Sequence, residues 1–232
     1  MSDTWRDLAV AVASRIEFER RCDRLGFVDE FTAVRFSAEF LDSQRTGKIR
    51  TEEPHPDISN KFIDLVRETK RGKQLDLGME AKWLRPTGST RSWLKELAVD
   101  LFRLQHFRTG TKQGTHRVLL VVGTHDMIKD NIFDRNVQTG GGSKRGLPFI
   151  LPENLSTTFT KFEIRNCRPE ARKWLRSCRV NLGVNLPSTY DARLAARHVA
   201  ASDNDAIEAV VWVTRRKPSW KSFDDNRAWG VI

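Results

Sequence analysis

Cysteine is scarce in this chain of 232 residues: Cys22, Cys167 and Cys178 are all it has. An odd number, no CxxC pair and no accompanying HxxxH exclude a disulfide framework and give a structural zinc site little support. Three reduced, mostly buried thiols are the expectation. Long hydrophobic runs are missing as well. The longest, around Val118–Val122, is far shorter than the roughly 20 residues a membrane-spanning helix needs. The opening MSDTWRDLAV has no basic segment followed by an apolar one, so no secretory signal is expected. No internal repeat is present, and the GxxxxGK[ST] spacing of a P-loop is absent from the glycine-rich stretch 139–146 (TGGGSKRG), which reads as a surface loop. These absences point to a soluble, cytoplasmic protein without a membrane partner.

Acidic residues are in deficit: 30 Asp and Glu stand against 40 Lys and Arg, for a net charge of +10 and an isoelectric point near 9.9. A positive field of that size favours a polyanion, nucleic acid above all, as partner. What the chain does possess is core material: 39% hydrophobic residues, with 13 Phe and 7 Trp, enough to exclude wholesale disorder.

The spacing of Trp5, Leu8, Ala9, Val12 and Ile16 predicts an amphipathic helix over 4–24. Over 31–41, Val34, Phe36, Ala38 and Phe40 alternate with polar residues, which favours a strand over a helix. A turn at 45–48 and a proline-rich piece at 53–57 follow. The runs 61–68 (KFIDLVRE) and 74–84 (QLDLGMEAKWL), separated by a stretch containing Gly72, read as a β-hairpin. A helix over 90–107 carries Trp93, Leu94, Leu97, Leu101 and Leu104 on one face. The run 117–123 (RVLLVVG) has the continuous apolar character of a strand covered on both faces. Further on, 169–179 reads as a basic helix and 207–215 as a strand. One α/β domain spans 1–232, its core at about 10–124 and C-terminal elements from 150 to 232 packed on it.

Side chains alternate along a strand. Asp76, Gly78, Glu80 and Lys82 therefore share one face of the second hairpin strand, opposite Leu77, Met79, Ala81 and Trp83. If the turn centres on Gly72, Asp64 lies across from Glu80 with Cβ atoms about 5 Å apart. Two carboxylates that close repel unless a cation separates them or one keeps a proton. A hard divalent ion resolves the conflict with oxygen ligands, Mg²⁺ by preference and Mn²⁺ as the alternative. Asp57, after Pro56, is the competing first acid, though the register argues for Asp64. His55 is a candidate for bracing a metal ligand or contacting a phosphate, and His125 and Asp126, just past the buried strand, either face the same site from a neighbouring strand end or belong to a loop.

Asp64 in IDLV, Glu80-Ala81-Lys82 on the next strand, then a helix and a buried strand resemble the PD-(D/E)xK nuclease superfamily, the restriction-endonuclease-like fold. That resemblance, over roughly 10–124, implies an αβββαβ core with a mixed central sheet flanked by helices. It also implies that Asp64 and Glu80 bind the metal and that Lys82 positions or activates the attacking water. It adds an acid from an upstream helix, for which Glu17 and Glu19 are the counterparts, or Glu39 if 31–41 supplies the element. The implied activity is divalent-metal-dependent hydrolysis of DNA by a restriction or defence endonuclease, the alternative being a silent nucleic-acid-binding or assembly subunit. Double-stranded DNA is the expected partner, and a homodimer or an accessory subunit fits two-fold cleavage. Phosphate contacts are expected from Lys70, Arg71 and Lys73 at the hairpin tip, from Lys144 and Arg145, and from the stripe Arg172, Arg176 and Arg179, with Arg215, Arg216 and Lys217 adding charge.

Overall fold

The computed structural model describes residues 4–44, 46–69, 74–85, 90–107, 116–133, 151–163, 175, 178–203, 205–215 and 222–223. Two helices lead: α1 (Thr4–Arg21) and α2 (Glu30–Ser43). Three strands follow, β1 (Gly47–Pro54), β2 (Phe62–Thr69) and β3 (Leu75–Trp83), then α3 (Thr90–His106) and β4 (His116–Thr124). A short turn of helix, α4 (His125–Ile128), runs into a wider turn over Lys129–Phe133. The remaining strands are β5 (Thr160–Glu163), β6 (Leu186–Pro187), β7 (Thr189–Val199), β8 (Ile207–Arg215) and β9 (Ser222–Phe223).

Seven strands form one mixed sheet in the order β1-β2-β3-β4-β8-β7-β5, and β6 pairs with β9 separately. β1, β2 and β3 make an antiparallel meander, α3 carries the chain over, and β4 returns parallel to β3. β4 then pairs antiparallel with β8, and β8 with β7. The sheet is thus α/β in character and buried on both faces. One face packs Leu77, Met79, Ala81, Val118, Leu120 and Val122 against Leu8, Val12, Ile16 and Phe36 of α1 and α2. The other packs Ile63, Val66, Leu119 and Val121 against Leu97, Leu101, Phe102 and Leu104 of α3.

Residues 31–41 are helical, where alternation favoured a strand. The same residues carry a helical set, with Ala33, Val34, Ser37 and Leu41 buried together. A capping box settles the start: Asp29 Oδ1 accepts from Thr32 N–H at 2.8 Å, and Thr32 Oγ1 accepts from Asp29 N–H. Five strands, β1, β5, β6, β7 and β9, arise where sequence reading placed none. β1 (GKIRTEEP) is a polar sheet edge, ended by proline and bent at Glu52 (φ 52°). β7 (TYDARLAARHV) buries Tyr190, Ala192 and Leu194 on one face by strand alternation and, past a bulge, Ala196 on the other. The helix expected over 169–179 falls mostly outside the described residues; Arg179 is half-buried at its end. Cys22 is exposed and Cys178 buried, the burial pushing the Cys178 thiol up to about 12.

Candidate active site

β2 and β3 pair with Leu65 opposite Met79 and Val66 opposite Gly78. Continued by one residue, this register sets Asp64 opposite Glu80, as the hairpin reading expected. The turn itself, with Lys70, Arg71 and Lys73, lies outside the described residues. A backbone bond secures the pair: Asp64 Oδ2 accepts from Ala81 N–H at 2.8 Å.

The face that holds Glu80 and Lys82 is not solvent-exposed. α3 lies over it, and Glu80 keeps only 1% of its surface. Gly78 makes room for that helix end, since a Cβ there would lie 2.7 Å from the Phe107 ring. Four α3 and α2 side chains meet the strand. Arg103 Nη1 donates to Glu80 Oε2 at 3.1 Å and to the Phe62 carbonyl at 2.9 Å, while its Nη2 donates to Asp100 Oδ1 at 2.7 Å. Lys82 Nζ lies 2.8 Å from Glu30 Oε2, 3.4 Å from Glu96 Oε2 and 3.8 Å from Asp100 Oδ2. His55 braces the assembly from the β1–β2 connection. Its Nδ1 accepts from Asp57 N–H, so its Nε2–H donates to the Arg103 carbonyl at 3.0 Å.

Burial sets the protonation states first. It pushes Glu80 well above the usual carboxylate range, and the neighbouring Asp64 charge adds to the push, against the pull of Arg103. Asp100 is likewise raised by burial, to about 7, with Lys82 and Arg103 holding it back. Burial works against the Lys82 ammonium, but Asp100 and Glu30 outweigh it, so Lys82 stays charged beyond the ordinary lysine range. His55 is lowered by burial and stays neutral near pH 7.

No family model, curated protein or solved structure matches this chain.

Two buried atoms of the site, Glu80 Oε1 and Arg103 Nε, have no hydrogen-bond partner among the described residues. As ionised carboxylates Asp64 and Glu80 only accept, and neither satisfies the other. Either a proton on Glu80 bridges the pair, or a cation enters between them. Two carboxylates make the oxygen-only kind of donor set that a hard divalent ion such as Mg²⁺ takes. Among the described residues no set of three or more His, Cys, Asp or Glu side chains is gathered as a metal cluster; Lys82 and Arg103 stand between the further acids.

Of the acids upstream of the strands, Glu30, the first residue of α2, lies against Lys82, and sequence reading missed it. Glu17 instead binds Arg20 and Arg21 and accepts from Ile207 N–H. Glu19 pairs with Arg24, and Glu39 with Arg35. Asp57 sits at the turn beside His55. Asp100, Arg103 and Glu96 were missed too; their spacing along α3 marks a polar stripe, but nothing in it names the strand it covers. Lys144, Arg145, Arg172, Arg176, Arg216 and Lys217 lie outside the described residues. Arg215 stacks on Phe159, its guanidinium 3.9 Å from the ring centroid.

Proposed function

We propose that this chain is a divalent-metal-dependent phosphodiesterase of the PD-(D/E)xK kind, a restriction-endonuclease-like nuclease acting on DNA. The observation that carries the reading is the pairing of Asp64 with a buried Glu80 whose Oε1 has no partner, two residues before a lysine held charged by three carboxylates. The αβββαβ order of α2 through β4 supports it, as does the net positive charge.

Asp64 and Glu80 would hold the ion, which when bound supplies Lewis-acid polarisation of a phosphoryl oxygen and acidifies a water. Lys82 keeps its proton and donates it as a hydrogen bond, orienting the attacking water or stabilising charge on the phosphate. Glu30 and Asp100 aim the ammonium. Arg103 offsets part of the burial that favours protonated Glu80, which gives up its remaining proton when a cation is bound.

A second reading has its own observation. Arg103 already neutralises Glu80 and Asp100, and Lys82 already neutralises Glu30, Glu96 and Asp100. Such a self-compensated site also suits a silent, nucleic-acid-binding scaffold. Purified protein incubated with plasmid, linear duplex, single strands and RNA, with Mg²⁺ or Mn²⁺ and with EDTA, separates the two. Metal-dependent cutting that both Glu80→Ala and Lys82→Ala abolish is the expected result. Salt-sensitive binding without cutting, unchanged in both variants, selects the scaffold.

A further inference from the structure

A second polar constellation stands at the same end of the central strands. β4 runs in register with β3, Val121 beside Lys82, and ends at Thr124, after which His125 opens α4. Gly123 comes so close to the end of β3 that a Cβ on it would lie 3.1 Å from Leu84 Cβ, and Leu84 N–H donates to the Val122 carbonyl. From one strand spacing and four residues of rise, His125 lies about 14 Å from Lys82. That is roughly four base steps of a B-form duplex.

His125 is fixed at both ends. Its backbone N–H donates to the Ala206 carbonyl at 2.8 Å, and its Nδ1 lies 2.7 Å from Glu208 Oε2. A carboxylate only accepts, so Nδ1 carries the proton and Nε2 is the atom left to act. Glu208 is fully buried. Its other oxygen is held by Arg197 Nε, and the Arg197 guanidinium rests over the Phe133 ring, 4.4 Å from the centroid. Glu208 stands opposite Gly123, on the α3 side of the sheet with Glu80 and Lys82. The His125 side chain retains 29% of its surface, and Nε2 has no partner among the described residues. Glu208 and Arg197 are the charged groups met from β8 and β7; Asp126, Lys129 and Asp130 are those of the same turn.

A buried carboxylate joined to Arg197 alone would suffice to tie β7 to β8. Adding a partly exposed imidazole gives this end of the strands an oriented group: with Nδ1–H held by Glu208, Nε2 faces outward and, in the imidazolium form, donates to an anion. We propose that His125 binds a backbone phosphate of the nucleic acid, with Glu208 as its positioning residue. The inference rests on the reading of the substrate as nucleic acid, and not on the chain cutting it.

The test is binding of a fluorescein-labelled 20-base-pair duplex in EDTA, followed by anisotropy against salt, for the wild type, His125→Gln and His125→Arg. His125→Gln should bind several-fold more weakly and reduce the slope of log K against log salt by about 0.9, the effect of one phosphate contact. His125→Arg should keep the wild-type slope, so it also carries the comparison if His125→Gln fails to fold. A folded His125→Gln with unchanged slope overturns the proposal, as does a wild type that binds no duplex. Metal-dependent cutting with no effect of His125 leaves the nuclease reading standing and this one lost. A His125-dependent slope without cutting gives the converse.

Discussion

Asp100 shows how a single buried group ties stability to pH. Its carboxyl keeps its proton up to about pH 7 in the folded chain and to about pH 3.9 in the unfolded one. Between those values the folded state binds more protons, so stability falls as pH rises across the window. Asn imitates the protonated form. In EDTA, Asp100→Asn should therefore flatten this part of the profile and raise stability at pH 8 by on the order of 2 kcal/mol, measured by urea unfolding from pH 4 to 8. A variant as pH-dependent as the wild type would show that another group titrates there. Glu80 works in the same direction, since burial and Asp64 both favour its protonated form.

At the scale of elements, the site exists because α3 lies close on β3. Gly78, between Asp76 and Glu80, permits that approach: the Phe107 ring, fully buried, occupies the space where a side chain would go. Gly78→Ala should cost about 1–3 kcal/mol, the usual range for overpacking a core, read as a lower unfolding midpoint in urea. It should also weaken the Arg103–Glu80 pairing by displacing the helix end. A midpoint equal to the wild type would mean that Phe107 moves aside freely. The α2 start has a comparable role, since the Asp29–Thr32 capping box sets Glu30 on the first turn, within 2.8 Å of Lys82.

For the whole molecule, the sheet does not stop where the proposed nuclease core stops. β4, the most apolar strand, is interior, paired with β8 along its length from Arg117 to Thr124. α1 reaches across to the same strands, where Glu17 accepts from Ile207 N–H and Arg20 pairs with Asp203. A chain ending at Phe133 keeps every residue of the proposed catalytic set. It would also expose the edge of β4 and deprive α1 of much of its seat, leaving an open apolar strand prone to aggregation. We expect that fragment to be insoluble or unfolded by circular dichroism and gel filtration. A soluble fragment with native helix content would make the C-terminal strands an accessory layer.

Much of this was legible in the residues alone. Apolar spacing located α1, α3 and the strands β2, β3, β4 and β8, because each buries a periodic face. Strand alternation with hairpin pairing brought Asp64 to Glu80 and placed Lys82 beside them, since a two-residue period and an antiparallel register leave little freedom. Local pattern was ambiguous at α2, where two periods coexist and only the capping box decides, and silent at β1, whose polar edge has no core face to mark it. What no local pattern contains is contact between distant elements. Glu30, Asp100 and Arg103 join the site only because α2 and α3 pack on the end of β3, and Glu208 meets His125 only because β8 pairs with β4. Local spacing determines which side chains share a face; the burial that shifts Glu80 and Asp100, and the Glu208 contact that fixes the His125 tautomer, are properties of the packed whole.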